Sequence, residues 1–189
     1  MRMLKRILFL ILPALLGLAS CSETDDVVMH DTWAFENQVY LNEIAAEARE
    51  NASGDWKIFL AYGLDENKAW PADCYVYCKV KQSGTQPGSP FYNDAVLVNY
   101  SGALMNGYIF DRTYTGELVP EKTTPVELQL NDCVAGFITA LQEMVRGDIW
   151  EIYIPANLGY GSNSTSVPAG SVLIFTVNLV DFVHYGETE

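Results

Sequence analysis

Between Cys74 and Phe182, apolar residues return at every second position in five separate runs. They are Val76, Cys78 and Val80; Val96, Val98 and Tyr100; Val126, Leu128 and Leu130; Trp150, Ile152 and Ile154; and Leu173, Phe175, Val177 and Leu179. Side chains of a strand alternate between two faces, so each run predicts a strand with one buried side. In the first run, Tyr75, Tyr77, Lys79 and Lys81 fill the opposite phase. One helix interrupts the strands. Phe137, Leu141, Met144 and Val145 share a helical face, and Gly147 follows as its stop. The segment from Ser83 to Pro90 holds two Pro and two Gly, and the Pro155–Pro168 segment holds Gly159, Gly161 and three Ser, so both read as loops. Antiparallel strands with one helix packed on a face make an α+β domain.

Ahead of that domain the period is helical. Asp31 or Thr32 can cap a helix in which Phe35, Val39, Ile44 and Ala48 recur up to Asn51, with Ser53-Gly54 as its end. The apolar stretch from Trp56 to Leu64 fits helix or strand, and Asp65-Glu66-Asn67-Lys68 reads as a loop. At the start of the chain, Arg2, Lys5 and Arg6 precede an apolar run from Ile7 to Leu18 and the small residues Ala19 and Ser20, which predicts a secretory signal peptide. The run is too short to span a bilayer, and Pro13 breaks it. Leu18-Ala19-Ser20-Cys21 resembles a bacterial lipobox, which implies lipid on Cys21, and Ser22 after it implies the outer membrane. The organisation expected is therefore a signal peptide (1–20), a lipidated flexible tether (21–30), a partly helical extension (31–70) and one domain (71–189). Glu23, Asp25 and Asp26 suit a solvated tether or a surface-export tag, and both readings stand. The formal net charge is −13, and removing 1–20 takes away three further basic residues and no acidic one. Nucleic acid and anionic lipid would repel such a chain, so the lipid anchor on Cys21 and not charge is the expected membrane contact.

Chemistry-bearing residues are sparse. Cys74 and Cys78 sit four apart in one predicted strand, about 13 Å between α-carbons, too far to bridge. His30 and His184 are distant in sequence, so no metal site or cofactor is predicted, and the cysteines read as small buried hydrophobes, with one bridge to Cys133 left open. What remains is an apolar set with one carboxylate: Tyr100, Phe110, Asp111, Val134, Phe137, Tyr160, Val167 and Phe175. Each aromatic taken singly reads as core. Together they describe a greasy concave ligand site with a few polar groups.

Val98-Asn99-Tyr100-Ser101-Gly102 through Ile109-Phe110-Asp111, then Val134-Ala135-Gly136-Phe137, Ile154-Pro155, Gly159-Tyr160-Gly161, Val167-Pro168 and Leu173-Ile174-Phe175 resemble, in order and spacing, the motifs of the FKBP family of peptidyl-prolyl isomerases over residues 74–183. The resemblance implies an antiparallel, strongly curved β-sheet wrapped on one short α-helix, here with an N-terminal helical extension. It implies that the chain acts on X–Pro bonds of proline-containing polypeptides, with macrolides as candidate inhibitors. It implies Asp111, Tyr160, Tyr100, Phe110 and Phe175 as catalytic residues. Phe137 would be the floor under the proline ring, with Val134, Cys133, Val126 and Val167 as further substrate contacts. The sequence departs from the family in having Phe137 where Trp is common, Val126 where Phe is frequent, and Cys133 in place of an aliphatic residue. The segment before Val134 and the Tyr160–Pro168 loop are each about two residues shorter than in the best-known members.

Two other readings use the same residues. A chaperone or binding module would keep the walls without turnover. A thiol hydrolase would need Cys133 with His184 as its base. The extension is expected to pack on its own domain as a monomer rather than to pair two copies.

Overall fold

The computed structural model describes residues 23–162 and 165–186, with side chains from Thr32 onward. The predicted signal peptide (1–20) and the expected lipidation site Cys21 lie outside the described residues. A long helix, α1 (Glu23–Glu50), is followed by β1 (Trp56–Leu60), β2 (Tyr75–Gln82), β3 (Ala95–Ala103), β4 (Ile109–Arg112), β5 (Val126–Gln129), α2 (Ala135–Leu141), β6 (Ile149–Ile154) and β7 (Leu173–Val183). The strands form one antiparallel sheet in the order β1-β2-β6-β7-β3-β4. The ambiguous Trp56–Leu64 stretch resolves as β1, which pairs with β2 from Trp56↔Lys79 to Leu60↔Tyr75. One edge of β3 is taken by β7. The other is shared: β5 pairs with Ala95–Val98 and β4 with Ser101–Ala103.

The two phases of β2, β6 and β7 feed two cores. Val76, Cys78, Val96, Val98, Trp150, Ile152, Ile154, Leu173, Phe175, Val177 and Leu179 pack with Phe137, Ile138, Leu141 and Met144 around α2. Tyr77, Tyr153 and Val172 face the other way and are covered by Leu41, Ile44, Ala45 and Ala48 of α1. α2 comes close to the sheet because Gly136 has no side chain; a Cβ there would lie 2.3 Å from Ile154 Cγ2. Its helical bonding ends earlier than the predicted Phe137–Val145 run. Glu143 and Met144 instead donate to carbonyls three residues back, and Asp148 Oδ2 accepts from Val145 N at 2.7 Å before Gly147 turns the chain at φ 92°. Asp148 is 4% exposed, and its Oδ1 also accepts from Gly84 N at 2.7 Å, so one buried carboxylate closes two loops.

α1 differs from expectation in two ways. It starts at Glu23, so 23–30 are helical where a flexible tether was expected. Its buried stripe is also not the predicted one, since Phe35 is 69% exposed and Val39 41%. The five-residue step from Val39 to Ile44 turns by about 140°, placing the first pair away from the sheet that Ile44 and Ala48 meet. Asn37 and Leu41 continue the buried side instead. Cys74, Cys78 and Cys133 are all free thiols, so the bridge to Cys133 is not formed. Among the described residues no helix is long and apolar enough to cross a membrane, and no group of three His, Cys, Asp or Glu is placed to hold a metal ion.

Candidate active site

A cavity of about 210 Å³ opens between α2, β3, β4, β7 and the segment after β5. Tyr100, Asp111, Leu128, Asp132, Cys133, Val134, Phe137, Tyr160 and Phe175 line it. The aromatic rings meet edge to face, the arrangement their quadrupoles favour. Phe137 and Phe175 lie 5.3 Å apart between centroids, Tyr100 lies 6.3 Å from Phe137, and Phe110 lies 5.5 Å from Phe175 and 6.1 Å from Tyr160. Phe137 and Phe175 are almost fully buried, and Tyr160 is 39% exposed at the mouth.

Two consecutive residues of β4 bear on the site, Asp111 on the cavity wall and Phe110 against the Phe175 and Tyr160 rings beside it, which a regular strand does not allow. A bulge provides for it. Ala103 pairs with Ile109 but Gly102 pairs with Asp111, so Phe110 is the extra residue and both side chains can aim at one place. Gly102 makes room opposite, since a Cβ there would sit 2.6 Å from Phe110 Cζ and 2.8 Å from Phe175 Cε1. Past the bulge, Tyr100 N donates to Thr113 Oγ1 and Thr113 N to Tyr100 O, both at 2.9 Å, which fixes the backbone under the Tyr100 ring.

Polar groups are few. Tyr100 donates its hydroxyl to Asp111 Oδ2 at 2.7 Å, and Asp111 Oδ1 accepts from Arg112 N at 2.8 Å. Burial, and then the Asp111 carboxylate, push the Tyr100 hydroxyl well above its ordinary range, so it stays a protonated donor. Burial and Asp111 also raise Tyr160, whose hydroxyl bonds to no described residue and is left for a guest. Val134 precedes α2 with no side-chain cap, and its own N–H likewise donates to no described residue.

Not every expected residue joins the wall: Phe110 is not part of the cavity lining and instead packs edge to face against Phe175 and Tyr160. Val126 is 37% exposed at the start of β5, opposite Val98, and it does not line the cavity. Leu128, one alternation further in, takes that place. Val167 is 6% exposed in the core that holds Phe137 and Phe175, behind the cavity rather than across its mouth. Leu128 and Asp132 were not singled out, although the β5 alternation put Leu128 on the inward face.

Cys133 lines the cavity, but its chemistry is quiet. Burial, reinforced by Asp132, raises its thiol to about 11, and its Sγ donates to Gln129 O at 3.7 Å. His184 is held elsewhere, its Nδ1 2.6 Å from the buried carboxylate of Asp94. At pH 8 only about one Cys133 thiol in a thousand is ionised, so iodoacetamide should label it at about a hundredth of the rate of a free thiol. Mass spectrometry of the alkylated peptide checks this; labelling at the free-thiol rate would restore the thiol-hydrolase reading.

An aromatic-floored cavity with a Tyr–Asp pair, on a bulged antiparallel sheet around a short helix, agrees with the motif comparison. The sequence model for the FKBP-type peptidyl-prolyl cis-trans isomerases matches residues 87–180. That stretch is an FKBP-type domain. Among similar proteins, the peptidyl-prolyl cis-trans isomerase Mip of Coxiella burnetii is 41% identical over 104 residues, 54% of this chain and 42% of that protein. The outer membrane protein MIP of Legionella longbeachae is 37% identical over 101 residues, 52% of this chain and 39% of that protein. The chain thus spans about two fifths of the length of these relatives. Of solved structures, FkpA from Escherichia coli superposes with a TM-score of 0.60 at 23% identity, over 82% of this chain and 63% of that one, which supports the fold. A peptidyl-prolyl cis-trans isomerase from Pseudomonas syringae gives 0.54 at 26% identity, over 77% and 95%. The FKBP-type match starts after β2, so α1 and the first two strands lie outside it.

Proposed function

We propose that this chain catalyses cis-trans isomerisation of X–Pro bonds in proline-containing polypeptides of the bacterial envelope. The observation that carries the reading is the 210 Å³ cavity floored by Phe137 and Phe175, with the Tyr100–Asp111 pair on its wall and, at its mouth, a Tyr160 hydroxyl that bonds to no described residue.

The reaction needs no nucleophile. Its barrier of about 18–20 kcal/mol is the amide resonance lost when the C–N bond twists, and uncatalysed exchange takes tens to hundreds of seconds. A planar amide is strongly dipolar and a twisted one less so. A water-poor apolar pocket therefore disfavours the ground state more than the transition state, which is differential binding. The proline ring rests on Phe137 between Tyr100, Phe110 and Phe175. Asp111 acts by holding the Tyr100 hydroxyl, and so the ring, in one orientation. Tyr160 and the Val134 N–H donate to substrate carbonyls. The same hollow would be the place for a macrolide inhibitor.

Replacing Tyr160 by Phe removes one hydrogen bond, worth about 0.5–1.5 kcal/mol, so kcat/KM in a proline-peptide assay should fall roughly threefold to tenfold. Asp111→Ala frees the Tyr100 hydroxyl and should cost a similar factor, with far-UV circular dichroism unchanged in both. Wild-type kcat/KM in both variants would remove those roles. A wild-type chain that leaves the uncatalysed rate unaltered would favour the chaperone reading instead.

Placement in the envelope rests on the signal-peptide pattern and Leu18-Ala19-Ser20-Cys21, and is supported by the outer-membrane name of the Legionella longbeachae relative. The protein is anchored by lipid on Cys21 in the outer membrane and works as a monomer. Support for the monomer is that Leu41, Ile44, Ala45 and Ala48 are spent on the chain's own sheet.

A further inference from the structure

The loop that carries Tyr160 is fastened to a helix outside the matched domain. We infer that α1 is a positioning element for the pocket: Trp33 and Asn37 hold residues 168–172, and through them the neck of the loop that presents Tyr160. The catalytic part of this inference rests on the isomerase reading; the mechanical part does not.

Two pins join the helix to the loop. Trp33 Nε1 donates to Ser171 Oγ at 2.9 Å, and that hydroxyl donates onward to Pro168 O at 2.6 Å. Asn37 Oδ1 accepts from Val172 N at 2.8 Å, while its Nδ2 donates to Trp33 O at 2.8 Å. Asn37 is 1% exposed and Ser171 3%, so these bonds are shielded from water and neither partner has solvent to turn to. Between the pins the backbones nearly touch. Gly170 adopts φ 77°, and a Cβ on it would lie 2.7 Å from Ala34 Cβ. The held segment reaches Tyr160 directly, because Gly170 N donates to Gly161 O at 3.1 Å and Gly161 N to Ala156 O at 2.8 Å. Trp33 also packs against the core cluster that contains Phe137, Val167 and Phe175.

The arrangement matters because of how Tyr160 is held. Its hydroxyl bonds to no described residue, 39% of its surface is exposed, and its ring rests edge to face on Phe110, so its place depends on the backbone beneath it. Loops of this length lose order readily unless tied at the neck. The docking of α1 itself depends on other residues, since Leu41, Ile44, Ala45 and Ala48 lie further along the helix and pack on Trp56, Tyr77 and Tyr153. The pins and the docking stripe are therefore separable by mutation.

The test uses the full chain, with amide hydrogen exchange across 159–172 and kcat/KM on a proline peptide measured side by side. Asn37→Ala and Trp33→Phe should each speed exchange in that segment at least tenfold and lower kcat/KM threefold to tenfold, mainly through KM. In a Tyr160→Phe background the Asn37→Ala loss should shrink below twofold, which a general loss of packing would not produce. Phe35→Ala, on the exposed side of the same helix, should leave both readouts as in wild type. If Trp33→Phe fails to fold, Ser171→Ala breaks the same bond from the loop side. Wild-type exchange in Asn37→Ala and Ser171→Ala overturns the clamp, and full additivity with Tyr160→Phe overturns its action through that residue. Should the wild-type chain not accelerate isomerisation, the proposed function falls while loop exchange still decides the clamp.

Discussion

Truncating Phe137 to alanine should cost about 3–5 kcal/mol of stability and lower kcat/KM by roughly tenfold to a hundredfold. The first figure follows from burial: the ring is 4% exposed and meets Phe175 and Tyr100 edge to face, so its loss leaves a hole that the sheet beneath cannot fill. Thermal unfolding followed by circular dichroism should show a drop of about 2–4 °C for each kcal/mol. The second figure follows from the guest, since covering an apolar ring is worth about 1.5–3 kcal/mol and the proline loses that cover. Phe137→Leu keeps an apolar floor and should lose less on both counts. An alanine variant that unfolds at the lower temperature yet turns over like wild type would show that the floor is core and nothing more.

Adding a single methyl group on the opposite side should be comparably damaging. Gly102 does not have positive φ, so Gly102→Ala carries no backbone strain and reports only on space. Its Cβ would meet the Phe110 and Phe175 rings at 2.6 and 2.8 Å, well inside contact distance. The rings stand at 90° to each other, and Phe175 lines the cavity, so shifting it reshapes the wall. Overpacking of this kind costs about 1–3 kcal/mol, and kcat/KM should fall tenfold or more because the reshaped wall no longer fits the proline ring. Trimming the obstruction with Phe110→Leu in the Gly102→Ala background should recover part of the activity. If the double variant is worse than either single one, the clash is not the cause.

Where the sequence was legible, the reason was periodicity. The strands β2, β3, β5, β6 and β7 fall on the alternating runs because each presents one phase to the α2 core. The second phase was not readable as buried, since Tyr75 and Tyr77 look solvent-facing until α1 is laid over them. β4 is four residues long and bulged, so it has no alternation to detect and was reached only through the Phe-Asp motif. Tyr100, Asp111, Phe137, Tyr160 and Phe175 gather as the motifs implied. Val126 does not, because motif alignment assigns a column but not how far along an edge strand the cover extends. The bonds of Trp33 to Ser171 and of Asn37 to Val172 span 138 and 135 residues, and no local pattern encodes such a pairing.

Because α1 roofs one side of the sheet, the borders of the matched domain are poor borders for a recombinant fragment. A piece cut to 87–180 would lack β1 and β2 as well as the helix. It would turn β6 into a bare strand edge and open Tyr153, Val172 and Ile174 to solvent, an invitation to self-association. Preparations that begin near residue 23 should stay in solution, whereas those trimmed to the matched stretch should precipitate.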